Sequence, residues 1–320
     1  MRSERYHAAL FWLAIVTAVT ALLPIAVGSL VTTRGAGMAF PDWPTSDGKG
    51  MLAYPWLRSA GDKFIEHGHR LAGMLIGCVS IMFAASVWFL ESRRWVRFCA
   101  VLVLLAVIVQ GILGGWRVLA DERVVAMFHG AFAAAVFAFM STTALVLSRS
   151  WLEPPRVSSG ALPTSATILA ATTPLVILLQ YFLGGLIRHL GRALYEHVGM
   201  AVVVLVVVMA TIVVVHRTKC AWLRRPAYLM GLVALSQIAL GGGTWLTKYG
   251  LASIGYVAVQ GTALQTVVRT SHTVVGMLLL MTSVILFVRV LRLASTLRVA
   301  AKPIDLTLQP LAAAGLRGVS

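Results

Sequence analysis

The sequence predicts an all-α, polytopic membrane protein: eight transmembrane helices arranged as two pseudo-symmetric four-helix bundles. Three observations predict it. Of 320 residues, 59% are hydrophobic and only 12% are charged, and the mean hydropathy is +0.86, a balance soluble domains seldom reach. Eight apolar runs are each long enough to cross a bilayer, which takes about 20 residues. The second four runs repeat marks found in the first four.

The spans are read at 8–31, 68–90, 96–117, 124–148, 165–187, 195–216, 226–246 and 271–291. Span one is too long for a signal-peptide core and shows no clear small-residue cleavage site, so it is read as retained. Its Pro24 lacks a backbone donor and predicts a kink. The following segment, 35–64, carries Pro41-Asp42-Trp43-Pro44 and Tyr54-Pro55-Trp56. Its prolines forbid a long helix, and Trp and Tyr favour the membrane interface. An ordered outer loop or short interfacial helix over the first bundle is expected. Span two opens with Glu66-His67-Gly68-His69-Arg70.

The repeat runs through the later spans. Val27-Gly28-Ser29-Leu30-Val31 in span one resembles Leu183-Gly184-Gly185-Leu186-Ile187 in span five, with Gly35 and Gly191 in register. Gln110 to Gly114-Gly115 in span three resembles Gln237 to Gly241-Gly242 in span seven, and Gln180 keeps the same spacing to Gly184-Gly185. Each even span opens with one histidine: His69, His129, His197 and His272. Pro154, Pro155, Ser158, Ser159, Gly160 and Pro163 mark a linker. The halves are therefore 1–150 and 165–320, joined by a cytoplasmic linker at 151–164. Four spans precede the linker, so both halves share one orientation. The basic tail, 293–320, receives no function.

The net charge of +16 suggests nucleic acid until its distribution is considered. With the N-terminus inside, 16 of the 27 Lys and Arg residues fall on the cytoplasmic side, as the positive-inside rule requires. Both termini are then cytoplasmic. Cys78, Cys99 and Cys220 form no C-x-x-C pair and suggest neither disulfide nor zinc site.

Ionisable residues at membrane depth are functional candidates. Four intramembrane histidines on one side, two per half, would supply two axial ligands to each of two haem irons, because bundles build cofactor sites from facing helices. The small residues at Gly114-Gly115, Gly184-Gly185 and Gly241-Gly242-Gly243 would let helices and ligands approach closely. Arg70, Arg117, Arg188, Arg192, Lys248 and Arg269 at the outer ends suit haem propionates, and snorkelling is the competing explanation for each. His7, His67, His189 and His216 lack counterparts in the repeat and are read as interfacial or structural. Glu66 breaks the symmetry. It lies three residues before His69 on one helix face and four before Arg70, at salt-bridge spacing. A carboxylate beside one proposed haem site alone suggests chemistry in the first half and a redox cofactor in the second.

These residues resemble the haem A synthase family. The match includes Glu66-x-x-His69-Arg70, the run from Gly28 to Gly37 into Pro41-Asp42-Trp43-Pro44, the single histidines of spans four, six and eight, and the eight-span repeat. It covers roughly 10–292. The resemblance implies oxidation of the C8 methyl of haem O to a formyl group, giving haem A for terminal oxidases. It implies Glu66 as the catalytic carboxylate, and His69 and His129 facing the substrate haem. It pairs Arg70 with a propionate or Glu66, and makes His197 and His272 the ligands of haem B. It also implies partners: a haem O synthase (protohaem farnesyltransferase), an electron acceptor, and the cell inner membrane as location, with homo-oligomerisation left open. Two departures stand out. Many members carry a cysteine pair in an outer loop, and this chain has none. Many have His-Arg in span six, where His197 is followed by Val198. The alternative function is a di-haem membrane cytochrome in quinone-linked electron transfer. A transporter using a proton relay is a weaker rival.

Overall fold

The computed structural model describes residues 6–155 and 162–300. Among these, the apolar runs form eight long helices: Ala8–Arg34, Gly61–Leu90, Arg94–Leu119, Arg123–Leu147, Thr164–Leu190, Leu194–Arg217, Ala221–Tyr249 and Ala263–Ala300. All eight are long and apolar enough to span a membrane. The protein is a multi-pass membrane protein. Side chains such as Trp12, Phe98, Ile108 and Leu232 face outward, each more than half exposed or at that level. Such a belt suits lipid and would aggregate in water.

The helices extend past the apolar runs. Polar and aromatic flanks continue the backbone hydrogen bonding beyond the apolar runs, so span two starts at Gly61 and span eight at Ala263. The four histidines consequently sit three to nine residues inside their helices. Span one runs unbroken through Pro24. Spans one and five both end at a glycine in the left-handed conformation, Gly35 at φ 70° and Gly191 at φ 68°. Each takes up carbonyls of the last turn, which a side-chain-bearing residue would do only with strain.

Among the first four spans each packs on the next and the first packs on the fourth, and the same holds among the last four. Span four also packs on spans five and eight, and span one on span eight. Span four is accordingly the most buried and span seven the least. The core contains Phe83, Phe137, Met140, Leu223, Met230 and Leu286. At the end of span two, Arg93 pairs with Glu91 at 2.9 Å and donates to the Val146 carbonyl at 3.0 Å, tying the turn to span four. A short helix, Arg149–Leu152, follows span four. Ser158, Ser159 and Gly160 of the expected linker, and the tail beyond 300, lie outside the described residues. So do Arg2, Arg5, Arg156, Lys302 and Arg317 of the charge count, and hence both termini.

The segment between spans one and two is an ordered loop with one short 3-10 turn, Trp56–Arg58, with no long helix, as its prolines predict. Asp42 closes its tip by accepting from the backbone N–H groups of Asp47 (3.1 Å) and Gly48 (2.9 Å).

Candidate functional site

The four histidines converge in two pairs. His69 and His129 have ring centres 6.4 Å apart with planes at 88°. His197 and His272 have centres 6.3 Å apart with planes at 81°. An iron bound by one nitrogen on each face, at about 2 Å, holds two imidazole centres roughly 6 Å apart. Both pairs have that spacing. The pairing joins the second and fourth spans of each half, as the sequence spacing predicts.

Each ring rests on a glycine of the preceding span. A Cβ built on Gly28 would lie 2.6 Å from Cε1 of His69. On Gly114 it would lie 3.1 Å from Cε1 of His129, on Gly184 3.1 Å from that of His197, and on Gly241 3.3 Å from that of His272. Adjacent glycines do other work. Gly115 seats the indole of Trp43, where a Cβ would come within 2.3 Å, and Gly185 seats Met127 of span four. The tandem glycines thus serve a histidine and a neighbouring segment in turn.

Glu66 is 3% exposed. Its Oε2 accepts from the N–H groups of Ala39 (2.7 Å) and Phe40 (3.3 Å), and its Oε1 from Arg70 (2.8 Å). The i,i+4 salt bridge read from the sequence is therefore formed. Arg70 also donates to the carbonyls of Asp42 (2.8 Å) and Thr45 (2.6 Å). Arg117 holds the same loop by donating to the Gly37 carbonyl.

His67 belongs to this loop too. It is fully buried, with Nδ1 2.9 Å from Ser46 Oγ and Nε2 3.1 Å from the Met51 carbonyl. Its ring packs on Phe40 and Tyr54. Both nitrogens are occupied and neither histidine pair includes it, which makes it structural. Arg188, near the end of span five, reaches spans one and eight. It donates to the Ser29 carbonyl, to Thr33 Oγ1 (2.9 Å) and to Thr273 Oγ1 (2.9 Å). Ser29 follows Gly28, and Thr273 follows His272, so one guanidinium joins the edges of both sites. Among the described residues, the guanidinium groups of Arg192 and Arg269 make no hydrogen bond, although the Arg192 N–H donates to the Leu186 carbonyl and the Arg269 carbonyl accepts from Thr273.

The sequence marked Gln110, Gln180 and Gln237 only as repeat positions. The structure puts each against the histidine of the next span. Their four-residue spacing to the glycine was the signal that could have shown this.

The family model described as "Cytochrome oxidase assembly protein" (COX15-CtaA) matches residues 11–197. The chain belongs to this family. The matched stretch includes Glu66, His69, Arg70, His129 and His197, with His272 beyond it. The chain is also similar to the heme A synthase of Shouchella clausii, at 31% identity over 135 residues, covering 41% of this chain and 44% of that protein. The heme A synthase of Alkalihalophilus pseudofirmus is 27% identical over 152 residues, covering 46% and 50%. That of Listeria welshimeri is 27% identical over 131 residues, covering 40% and 41%. The chain spans about half the length of the curated relatives it matches.

Proposed function

We propose that the protein is a haem A synthase, which oxidises the C8 methyl of haem O to a formyl group and so supplies haem A to terminal oxidases. One observation carries this reading: two histidine pairs stand at haem-ligand spacing, and a buried carboxylate, Glu66, accompanies only one of them. The names of the curated relatives support it.

In this reading the first half, 1–150, takes the substrate haem between His69 and His129. The second half, 165–320, holds haem B between His197 and His272, which when bound accepts the electrons. The glycine cradles and the ring spacing fit such a group in both halves. Arg192 and Arg269 take its carboxylates, since Arg70, Arg117 and Arg188 are engaged within the protein. Two two-electron oxidations take the methyl carbon through the alcohol to the gem-diol, with water supplying both oxygens, four protons released and four electrons passing on to the external acceptor; the gem-diol then loses one water and keeps one oxygen as the formyl group. Glu66 receives the protons released, and Arg70 at 2.8 Å stabilises the carboxylate. The outer loop, latched by Glu66, His67 and Arg70, covers the first half and excludes water. The enzyme sits in the cell inner membrane with both termini cytoplasmic, takes haem O from a haem O synthase, and passes electrons to an external acceptor.

One observation favours a second reading, a di-haem electron carrier. Both Glu66 oxygens are satisfied by the loop and Arg70, as in a purely structural carboxylate. The variant Glu66→Gln separates the two. It keeps the side-chain shape and an oxygen for the loop N–H groups; both it and Glu66→Ala remove the charge facing Arg70, at a cost of about 3–5 kcal/mol, and Glu66→Ala also empties the space the side chain fills. With a haem O supply, Glu66→Gln should retain bound haem and stop short of haem A. Normal haem A from that variant would remove Glu66 from the chemistry. Haem-loaded wild-type protein that leaves haem O unchanged would favour the carrier.

A further inference from the structure

The end of the bundle away from the histidine pairs carries a cluster of cations and indoles. Span eight brings Arg289 and Arg292 there, three residues apart on one helix face. Arg289 stands roughly 25 Å beyond His272 along the same helix. The hydrocarbon layer is about 30 Å thick, so a helix with His272 near one face carries both arginines to the phosphate level of the other. Cζ of Arg289 lies over the Trp222 ring, 5.0 Å from its centre, and Cζ of Arg292 lies 5.3 Å from that of Trp151. Trp222 sits in the first turn of span seven, and Trp151 in the short helix after span four. The cluster therefore gathers three segments.

Its hydrogen bonding is all donors. Pro226 has no N–H to give the Trp222 carbonyl at the usual four-residue spacing, and Arg289 Nη1 donates to that carbonyl instead, at 2.8 Å. This holds the guanidinium in place and leaves its other N–H groups uncommitted. The Arg292 side chain makes no hydrogen bond among the described residues; its carbonyl alone accepts, from Ser295 and Thr296. Nε of Arg289, Nε of Arg292 and Nε1 of Trp222 are buried without a partner among the described residues. All three are donors, and a buried donor without an acceptor is costly. No carboxylate answers the two charges: the ion pairs among the described residues are Lys63–Asp47, Arg70–Glu66 and Arg93–Glu91. Snorkelling needs no ligand, but it keeps the charged head in water, whereas here part of each guanidinium is enclosed.

We propose that Arg289 and Arg292, flanked by Trp151 and Trp222, bind the phosphate of an anionic phospholipid where spans four, seven and eight meet. A guanidinium suits phosphate because its planar fork donates two N–H groups at once. Basic pockets between membrane helices hold such headgroups, and indoles favour the same interface. Headgroup depth selects a lipid over a soluble anion. The choline of a zwitterionic lipid would meet two guanidinium charges, so a headgroup of net negative charge is preferred. The site is separate from the histidine pairs and does not rest on the haem reading.

The test uses the full-length protein, purified in detergent and washed free of lipid. Phosphatidylglycerol, phosphatidylcholine and inorganic phosphate are added separately. Native mass spectrometry counts bound lipid, and thermal unfolding reads stabilisation. Wild type should hold a single phosphatidylglycerol in preference to phosphatidylcholine and be stabilised by it. Arg292→Gln gives up no side-chain hydrogen bond within the described protein, and should weaken phosphatidylglycerol at least about tenfold, the lower end for loss of a charge-assisted bond. Arg292→Lys keeps the charge without the fork and should fall between the two. Arg217→Gln removes an exposed cation at the end of span six, and should change binding by less than about twofold, as a screened surface charge does. Equal losses in Arg217→Gln and Arg292→Gln would mean diffuse attraction and overturn the site. Inorganic phosphate that displaces the lipid and stabilises as strongly would overturn the lipid assignment in favour of a soluble phosphate. Wild type that prefers neither lipid, whatever the variants do, would assign these donors to contacts within the chain and overturn the inference.

Discussion

Replacing Gly28 with alanine would set a Cβ 2.6 Å from Cε1 of His69, and 3.1 and 3.3 Å from its two nitrogens. Ordinary contact begins at 3.4 Å, so the ring must retreat by about 0.8 Å. Ligand constellations tolerate displacement of about 0.5 Å, and overpacking of this kind costs about 1–3 kcal/mol. The same change at Gly241 leaves its Cβ 3.3 Å from His272, a shortfall of about 0.1 Å that a small shift absorbs. The pair of variants is therefore graded by geometry, with the same chemical change in each. Gly28→Ala should lose haem from the first half, with affinity down by at least about tenfold, while Gly241→Ala should stay within a few-fold of wild type. Haem per protein, measured as the pyridine haemochrome on purified variants, reads the difference. Thermal unfolding confirms that both remain folded. Equal haem retention in Gly28→Ala and Gly241→Ala would refute the cradle argument.

Further outcomes follow from the loop and the junction between the halves. Arg188→Leu strips the donors that join Ser29, Thr33 and Thr273, and should destabilise the detergent-solubilised protein by about 3 kcal/mol, read by thermal unfolding; an unchanged midpoint would deny the junction any weight. His67→Phe keeps the packing on Phe40 and Tyr54 but removes the bonds to Ser46 and Met51. It should speed proteolytic nicking of the outer loop while leaving haem content unchanged, and loss of haem would reopen His67 as a ligand. Burial opposes ionisation of Asp42, but hydrogen bonds from the Thr45 hydroxyl and the Gly48 and Asp47 N–H groups outweigh it and lower its carboxyl to about 2. A depressed carboxyl stabilises above its ordinary 3.8 and loses that contribution as pH falls towards 2. Fluorescence of the adjacent Trp43 should therefore hold at pH 4 and change near pH 2, and Asp42→Asn should abolish that step.

Much of this architecture was legible in the sequence, for identifiable reasons. A span must be a long apolar run, so eight helices could be counted directly, and the single histidines marked the pairs because one recurs near the start of every even span. Helix ends were harder to see. The first turns of spans two and eight carry polar residues such as Asp62 and Gln265, so apolarity does not mark them. The partners of Arg70, Arg117 and Arg188 were also hidden, because charge and depth alone do not distinguish a guanidinium that binds a ligand from one that holds a loop carbonyl. The Glu66–Arg70 pair could be read because both residues sit on one helix. Glu66 with Ala39 and Phe40, or Arg188 with Ser29, joins residues far apart in the chain, which no local spacing reveals.

The central claim is the conversion of haem O. Membranes containing the full chain and a haem O supply should be extracted, and the haems separated by reverse-phase chromatography with mass detection. The account predicts a new peak with the mass and spectrum of haem A, absent from membranes lacking the protein. A folded, haem-loaded protein that leaves haem O unchanged when an electron acceptor is present would contradict it.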